Sequence, residues 1–381
     1  MKVLIVTNNA YTRGNGLSTA VRNTVFNLQE YGVDVRLMAA RNPDPDGPQP
    51  EFPLRHWKIP LFEPIIRANG FCYAWIDLKV IREAVEWADV VHFEECFLLE
   101  RIVRRIAVKR GKAITATYHL LAENITANLG LPKKTLLGRL ITRMWVRGAF
   151  NYCSDVQCPT PEVARHFKSF CTRPRVHVIS NGIRLYDAYV PKPVLPEPTV
   201  DILCIGRLAR EKSQETLLEA MRYSRHADRI RLFFAGNGPK AKKYQKMADR
   251  LCRDGVLKHA PSFGFYSPEE LRDLARQCYL YVHCAWVEVE GLSCLEATRE
   301  GLVPIIGEGE LIGTPQFALS PESLYPACDS KALAERIDWW IEHPDVRNAM
   351  AVKYAEAAGN YALDDCMAAL VDMFRQALQG A

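Results

Sequence analysis

Apolar runs and amphipathic stretches alternate along the first half of the chain. Val3–Thr7 is an almost continuous apolar run, whereas Leu17–Gln29 repeats its apolar residues at helical spacing. Apolar strands separated by helices are typical of a parallel sheet that is covered by helices on both faces. The predicted strands are Val3–Thr7, Asp34–Met38, Asp89–Phe93 and Ala113–Tyr118, and the predicted helices are Leu17–Gln29, Ala74–Trp87, Phe97–Arg110 and about 134–150.

A proline-rich segment interrupts this alternation. Pro191–Thr199 holds four prolines in nine residues and has no apolar periodicity, so it predicts a stiff linker over 191–199 between domains 1–190 and 200–362. The order predicts two doubly wound α/β domains that face a cleft, with ligands at the carboxyl ends of the strands. The later strands are Asp201–Ile205, Ile230–Ala235, Leu280–Cys284 and Val303–Ile306, and helices follow from Ser267 and over Ala332–Glu342, Val346–Ala358 and Leu363–Leu378.

Composition narrows the class of protein. A chain of 381 residues with 48% hydrophobic and 24% charged residues is an ordinary globular protein, which excludes a disordered, collagenous or disulfide-scaffold chain. We expect no membrane-spanning helix, because no run of about 18 apolar residues occurs. The first apolar run is too short for a signal peptide, and the twelve cysteines form no CxxC pair. These features predict a cytoplasmic protein with reduced, buried thiols and no zinc site.

Charge is unevenly distributed. Residues 1–190 carry 26 Lys and Arg against 17 Asp and Glu, whereas the remainder carries 23 against 27. Between Arg101 and Arg147 there are eleven basic residues and one acidic residue, Glu123. Such a concentration predicts a partner that bears phosphate, which is a lipid, a nucleic acid or a nucleotide.

Two strand-to-helix turns are candidate anion sites. Gly14 and Gly16 follow the first strand, where glycine lets a ligand approach the backbone and a helix N-terminus favours an anion. Arg207 and Lys212 lie in the turn after Asp201–Ile205, and both side chains suit a diphosphate. Taken alone, the first turn is explained equally well as a tight turn between a strand and a helix, and the second as a solvated charged loop.

A third turn, Glu288-Val289-Glu290-Gly291-Leu292-Ser293-Cys294-Leu295-Glu296, is more specific. Gly291 allows the backbone amides of Leu292 and Ser293 to point at a phosphate from the start of a helix. Glu288 and Glu296 stand on either side of this turn, eight residues apart. Carboxylates there can accept hydrogen bonds from hydroxyls on both sides of a diphosphate, which is what a nucleotide sugar requires.

The motifs together resemble family 4 of the retaining glycosyltransferases, which have the GT-B fold. The resemblance rests on GRLAREKSQETLLEA, GNGP, GFYSPEEL and the E-x7-E spacing in VEVEGLSCLEA, and VISNGI is similar to the family's V-I-P-N-G-I segment. TYHLLAEN and the tail QFALSPESLY…IDWWIEHP resemble the bacterial diacylglycerol glucosyltransferases. The resemblance covers nearly the whole chain and implies that a C-terminal helix, about 363–381, packs back on the first domain.

This resemblance implies a role for each matching residue. Arg207 and Lys212 would neutralise the donor diphosphate, Glu288 would hold the transferred sugar, and His119 would lie near that sugar, so these four are the implied catalytic residues. The implied donor-binding residues are Gly16, Arg207, Lys212, Phe265, Tyr266, Glu288, Gly291, Leu292, Ser293 and Glu296, with Glu296 on the ribose and Phe265 and Tyr266 framing the base. The chain departs from the family at Glu290, Leu120 and Ala122, which leaves the donor and the acceptor open.

The helix predicted over 134–150 combines basic and apolar residues. One interpretation is an anionic membrane contact, and the other is a core helix with a solvated edge. The apolar residues are Leu136, Leu137, Leu140, Ile141, Met144 and Trp145, and the predicted membrane-binding residues are Lys133, Lys134, Arg139, Arg143, Trp145 and Arg147.

Three other features favour structural interpretations. His92 at a strand end is more often a core histidine than a ligand. Asp44-Pro45-Asp46 matches a metal motif of another glycosyltransferase fold, but in a proline-rich loop it predicts turn chemistry, so we expect no metal. Trp339 and Trp340 are more typical of packing than of a cofactor site.

The predicted function is retaining, metal-independent transfer of a hexose from a UDP-sugar to a lipid hydroxyl at the inner face of the cell membrane. UDP-glucose and UDP-galactose are the donors considered, diacylglycerol and ceramide the acceptors, and no cofactor is expected. One alternative is a glycosyltransferase that acts on a polysaccharide, a lipopolysaccharide or a soluble acceptor. Another is a nucleic-acid-binding protein, which the two carboxylates disfavour because they repel phosphate.

Overall fold

The computed structural model describes residues 1–12, 16–60, 63, 66, 71–128, 135–186, 191 and 198–380. They form two compact units, Met1–Gly182 with Leu363–Ala381, and Ile183–Ala362. The division between Gly182 and Ile183 lies ahead of the predicted linker 191–199, most of which falls outside the described residues. Each unit is built on a parallel sheet with helices.

The first unit contains a seven-stranded sheet in the order β3-β2-β1-β6-β7-β8-β9. All of its strand pairs are parallel, and β1 lies between β2 and β6, so the direction of winding changes at β1 and β6. Two further strands, β4 and β5, pair in antiparallel fashion. The strands are β1 Lys2–Val6, β2 Asp34–Ala40, β3 Phe52–Leu54, β4 His56–Trp57, β5 Tyr73–Ala74, β6 Val90–Phe93, β7 Ala113–Thr117, β8 Asp155–Cys158 and β9 Arg175–Val178.

Six described helices of this unit precede the second unit in the chain. Three of them begin at residues whose side chains cap the helix. The Asp77 carboxylate accepts from two N–H groups ahead of Leu78, the Thr135 hydroxyl accepts from the Gly138 N–H, and Thr160 caps the helix that starts at Pro161. They are α1 Gly16–Glu30, α2 Leu78–Trp87, α3 Leu98–Lys109, α4 Ala122–Asn128, α5 Leu136–Gly148 and α6 Pro161–Lys168.

The helix predicted from Ala74 begins later than expected, and this is a correction. Tyr73 and Ala74 form β5, which pairs with β4, so Ala74 is not helical. Asp77 has extended backbone and caps the helix, which therefore starts at Leu78. An apolar pattern that continued across the cap hid this boundary in the sequence.

The second unit contains a six-stranded parallel sheet in the order β12-β11-β10-β13-β14-β15. Its direction of winding changes between β10 and β13, which is the arrangement of a Rossmann-like fold. The strands are β10 Val200–Ile205, β11 Ile230–Ala235, β12 Ser262–Gly264, β13 Leu280–His283, β14 Val303–Glu308 and β15 Leu324–Pro326. The helices are α7 Glu215–Ala220, α8 Ala241–Arg253, α9 Pro268–Gln277, α10 Leu292–Arg299, α11 Ser330–Glu342 and α12 Pro344–Ala358.

The last helix, α13 Leu363–Gln379, belongs to the first unit although it follows the second in the chain. Met367, Leu370 and Phe374 are buried in the apolar core around β1 and α1. The Tyr31 hydroxyl donates to the Asp364 carbonyl over 2.8 Å, which joins α13 to the end of α1.

Candidate active site

Two glycines bring the ends of β10 and β11 together in the second unit. Gly206 follows β10 and Gly236 follows β11, and a Cβ atom on Gly236 would lie 2.1 Å from the Gly206 carbonyl oxygen. The Leu208 N–H donates to the Asn237 carbonyl over 3.0 Å, which ties the two loops further. This close approach requires glycine at 236 and determines where the chain leaves the sheet toward Arg207.

Arg207 and Lys212 lie on the loop after β10, and both form ion pairs. Arg207 donates to the buried Glu211 carboxylate over 2.5 Å. Lys212 donates to Glu288, which lies in the loop after β13. The two predicted cations therefore stand at the carboxyl edge of the sheet, where its direction of winding changes and ligands of such sheets bind.

Trp286 attaches the loop that carries Glu288 to the turn that carries Lys212. Its backbone N–H donates to the Glu211 carbonyl over 3.0 Å, and its indole N–H donates to the Arg210 carbonyl over 3.1 Å. Since the indole is buried, these bonds fix the spacing of the two loops.

Glu288 is held ionised. Burial alone would raise its pKa, but the charge of Lys212 and the hydrogen bond from His283 outweigh burial and lower the pKa of Glu288 to about 2. The His283 Nε2 atom lies 3.4 Å from the carboxylate. Backbone bonds with Leu311 and Gly313 fix the residue from both sides. Glu288 is thus a fixed, charged hydrogen-bond acceptor, as a sugar hydroxyl requires.

His283 and Thr314 are residues that the sequence interpretation missed. The ring of His283 lies 3.1 Å from the Tyr281 hydroxyl and 3.4 Å from the Thr314 hydroxyl, and it is buried beneath Glu288. Its position at the end of β13, five residues before Glu288, was the available signal.

Gly291 adopts the left-handed conformation, with φ +86°, and caps α10. A Cβ atom there would lie 2.5 Å from the Thr314 hydroxyl oxygen, so the turn excludes any side chain. The first amides of α10, those of Leu292 and Ser293, have no acceptor within the helix. The turn therefore presents N–H donors and the positive end of a helix, which is the chemistry expected for a phosphate.

The remaining predicted donor residues differ in accessibility. Glu296 lies on α10 with its side chain exposed. Phe265 is 69% exposed, so its ring is available for stacking on a planar base. Tyr266 instead packs partly into an apolar cluster and against Gly264, where it supports the loop.

In the first unit, His119 forms an ion pair that the sequence interpretation did not predict. The Nε2 atom of His119 lies 2.6 Å from the Glu94 carboxylate, which is buried. Burial would raise the pKa of Glu94, but the charge and hydrogen bond of His119 outweigh it and lower the pKa. Glu94 follows β6 and His119 follows β7, and adjacent parallel strands bring their carboxyl ends together.

His92 lies beneath this pair as a buried, neutral histidine. Burial lowers the pKa of His92 to about 4, and its two ring nitrogens lie 2.8 Å from Thr115 and 2.9 Å from Thr117. The Thr117 hydroxyl donates in turn to Gln157 over 2.8 Å. These contacts fit the structural interpretation of His92.

Gly16 is the first residue of α1, and Gly14 falls outside the described residues. Among the described residues, no atom lies within 4 Å of a Cβ atom built on Gly16.

The basic helix, α5, has apolar residues on its exposed face as well as on its buried face. Its buried residues are Gly138, Thr142, Trp145, Val146 and Gly148, whereas Leu136, Leu137, Leu140 and Met144 are 43–72% exposed. Arg139, Arg143 and Arg147 are exposed beside them. We define the outer membrane row as Leu136, Leu137, Arg139, Leu140, Arg143, Met144 and Arg147.

The prediction that Trp145 binds the membrane is wrong. Its side chain is 3% exposed and packs edge-on against Phe97, with ring centroids 5.9 Å apart. It faces inward because it lies on the same side of α5 as Thr142. Lys133 and Lys134, the other predicted contacts before this helix, fall outside the described residues.

The described ranges contain no group of three or more His, Cys, Asp or Glu side chains that could hold a metal ion. Asp46 donates its N–H to the exposed Asp44 carboxylate over 3.1 Å, a turn contact. The helices in the same ranges include none with the length and apolar character needed to cross a bilayer.

Both halves of the chain match glycosyltransferase family models. Residues 14–186 match the model described as Glycosyltransferase Family 4, and residues 187–358 match Glycosyl transferases group 1. The fold and these matches define a sugar-transferring enzyme of two Rossmann-like domains, as the sequence predicted. The chain belongs to the GT-B glycosyltransferases, with a family 4 domain followed by a group 1 domain.

Two solved structures share this fold. Sucrose-phosphate synthase from Thermosynechococcus elongatus is 16% identical, with a TM-score of 0.72 over 100% of both chains. HepE from Anabaena, solved with UDP and glucose, is 16% identical, with a TM-score of 0.68 over 99% of this chain and 100% of that one. The catalytic domain of cholesterol-α-glucosyltransferase from Helicobacter pylori is 39% identical over 43% of this chain and 99% of that one, with a TM-score of 0.40. A comparison with curated proteins found no match.

Proposed function

We propose that the protein is a retaining, metal-independent hexosyltransferase that moves glucose or galactose from a UDP-sugar to the hydroxyl of diacylglycerol or ceramide. The donor part rests on one observation above all, the Lys212–Glu288 pair beside the Gly291 turn. A cation, a carboxylate and helix amides in one place match a diphosphate that is linked to a sugar. The fold shared with HepE, solved with UDP and glucose, is consistent with this donor.

The second unit would stabilise the leaving group. As the bond between the sugar and the diphosphate breaks, negative charge develops on the departing phosphate oxygens, where Arg207, Lys212 and the α10 amides would lie. These fixed groups need little reorganisation, because Trp286 and Glu211 already hold the two loops. A site that supplies positive charge from side chains and helix amides can do this without a divalent cation.

Diphosphate binding would also release the Glu288 carboxylate from its ion pair with Lys212. In the protein without donor, Lys212 is paired with this carboxylate. A diphosphate competes for the ammonium group, and the carboxylate remains ionised through His283 and can accept sugar hydroxyls. The acceptor hydroxyl would then attack from the face that the phosphate leaves, and the departing phosphate oxygen would take its proton.

The lipid part of the proposal is supported by the outer membrane row. Exposed leucines and a methionine are costly in water, whereas beside arginines they suit the boundary between headgroups and acyl chains of an anionic membrane. A core helix with a solvated edge would expose mainly polar residues. Helix α5 buries Trp145 and Val146, but it also leaves three leucines and a methionine exposed beside the arginines. We place the enzyme peripherally at the inner face of the cell membrane.

The deciding experiment incubates the full-length protein with UDP-glucose and UDP-galactose and with diacylglycerol, ceramide and soluble acceptors. Mass spectrometry identifies the product, and NMR of the anomeric proton shows whether the linkage is α. We expect an α-glycolipid, with activity retained in EDTA. A glycosylated soluble product without any glycolipid would exclude the lipid acceptor, and strict dependence on a divalent ion would exclude metal independence.

A further inference from the structure

A row of aromatic rings crosses the first unit from α5 to the β4–β5 hairpin. Phe97 lies 5.9 Å from Trp145 and 5.5 Å from both Phe71 and Tyr73, measured between ring centroids. Trp57 is paired with Tyr73 in the hairpin and lies 6.1 Å from Trp75. We define the aromatic row as Trp57, Phe71, Tyr73, Trp75, Phe97 and Trp145.

Exposure rises along this row. Trp145 is 3% exposed, the four middle residues are half-buried, and Trp75 is 52% exposed. Leu98, next to Phe97, is 46% exposed. Trp75 directly follows β5, and its backbone N–H donates to the Arg55 carbonyl over 2.7 Å, which holds it beside the start of β4. A contiguous apolar surface of this kind marks a binding site rather than scattered surface residues.

One side of the row meets the polar edge of the sheet. The Ala74 N–H donates to the Asn8 side chain over 3.1 Å, and the Cys72 thiol lies 3.4 Å from the Asn9 side chain. Asn8 follows β1 and donates its own N–H to Glu95, which follows Glu94 at the end of β6. Tyr73 is therefore held at the same sheet edge that carries Glu94 and His119.

The inner end of the row meets α5. Trp145 occupies the buried face of that helix and is the next residue along the chain from Met144, which is exposed in the outer membrane row. At the outer end, exposed Arg55 and Lys58 flank Trp57, and such residues attract anionic headgroups. Tryptophan and tyrosine are enriched where proteins meet lipid, because their rings are apolar and each carries a polar group.

We propose that the aromatic row binds the hydrocarbon part of the acceptor lipid, with the lipid hydroxyl at the edge that carries Glu94 and His119. An amphiphilic ligand fits a surface that is apolar along its length and polar at one side. This inference rests on the proposed lipid function and identifies the residues that hold the lipid, whereas the outer membrane row only brings the enzyme to the bilayer.

The test varies the length of the lipid chain. Diacylglycerols with butanoyl, hexanoyl and octanoyl chains, each below the concentration at which it aggregates, are glycosylated by the wild-type protein and by Trp57→Ala/Trp75→Ala. We expect the wild-type kcat/KM to rise with chain length, since one buried methylene strengthens binding by about threefold to fourfold. The variant should lose at least about tenfold with octanoyl chains and little with butanoyl chains.

Matched measurements separate this result from other effects. Tyr223→Ala removes an aromatic residue of similar exposure, 57%, from the second unit and should keep the wild-type chain-length dependence. Trp75→Leu, which stays apolar, should restore part of the octanoyl preference. Vesicle sedimentation and UDP binding by the double variant should match the wild type.

Two outcomes would overturn the inference. One is an unchanged chain-length dependence, or an equal loss at every length. The other is a wild-type dimer that the double variant converts to a monomer, because the row would then bind a second copy. In both cases the wild-type protein still makes glycolipid, so the proposed function stands. A wild-type protein that glycosylates no lipid overturns the proposed function and this inference together.

Discussion

At the scale of single residues, Glu288 is the side chain to test, because it is charged, has a low pKa and is fixed in position. Glu288→Gln keeps the side-chain volume and removes the charged acceptor, so transition-state stabilisation should fall by about 1.5–3 kcal/mol, the range for hydrogen bonds to charged groups. Steady-state kinetics should show roughly a tenfold to hundredfold loss in kcat/KM. Glu335→Gln, on an exposed face of α11, provides the matched control. Wild-type turnover by Glu288→Gln would remove this residue from the site.

The same carboxylate should make stability depend on pH. Its pKa falls from an ordinary 4.5 to about 2 on folding, so its stabilising contribution is present above about pH 4.5 and is lost as the pH falls toward 2. The contribution is at most about 3 kcal/mol. The difference in thermal stability between the wild type and Glu288→Gln should therefore be constant above about pH 5 and should shrink steadily as the pH falls from 4.5 toward 2. A difference in Tm that stays constant over the whole range would contradict the low pKa.

Glu94 contacts His119 directly, with the two side chains 2.6 Å apart, so we treat it as a positioning residue. Glu94→Gln removes the negative charge that holds the imidazole, and we expect kcat to fall about tenfold or more. UDP affinity should stay the same, because the proposed donor residues with charged side chains lie in the second unit. The exposed Glu86→Gln is the control. Weakened UDP binding in Glu94→Gln would show that the unit as a whole is disturbed.

The Gly291 turn is the feature to test at the scale of the element. Gly291→Ala forces a side chain into a left-handed conformation and against Thr314, so stability should fall by about 1–3 kcal/mol and UDP should bind more weakly. Adding Thr314→Ala removes the nearest atoms but not the backbone strain. The double variant should therefore recover only part of the Tm, as measured by calorimetry. Full recovery would mean that the clash alone requires glycine.

Helix α5 shows how far an amphipathic pattern could predict a function. The sequence repeats large apolar and basic residues at helical spacing. When one face of a helix carries small residues and another carries large apolar residues, the pattern alone does not indicate which face packs against the protein. The face that packs against the unit carries Gly138 and Thr142 together with Val146, and the leucines and Met144 lie on the exposed face. The same packing turned Trp145 inward, contrary to the prediction, because the pattern of residues does not report which neighbours a helix will have.

At the scale of the whole molecule, the features that could be predicted are those whose residues lie close together in the sequence. The turn from Glu288 to Glu296 is contiguous in sequence, so its chemistry could be inferred directly, and long apolar runs identified the central strands of both sheets. Pairs such as His119 with Glu94, or Lys212 with Glu288, depend on which strands become neighbours. Short strands at the sheet edges, such as β9 and β12, carry too few apolar residues to be distinguished from loops.

The last prediction concerns the charge of the whole molecule. Residues 1–190 hold the excess of basic residues, and three of them, Arg139, Arg143 and Arg147, flank exposed apolar side chains on α5. Each basic residue near an anionic surface contributes about 1 kcal/mol, and salt screens this attraction over about 8–10 Å. Sedimentation with anionic vesicles should therefore weaken as salt rises and should leave a residual binding from the leucines.

The triple variant Arg139→Glu/Arg143→Glu/Arg147→Glu isolates this contribution. We expect it to lose vesicle binding at low salt and activity on membrane lipid, while its UDP-sugar affinity and its far-UV circular dichroism stay at wild-type values. Glu replacements at three exposed basic residues of the second unit, Lys242, Lys246 and Arg253, give a variant with the same change in net charge. If this control loses vesicle binding to the same extent, net charge rather than α5 brings the protein to the membrane. A triple variant that still sediments at low salt would show that α5 is not the contact.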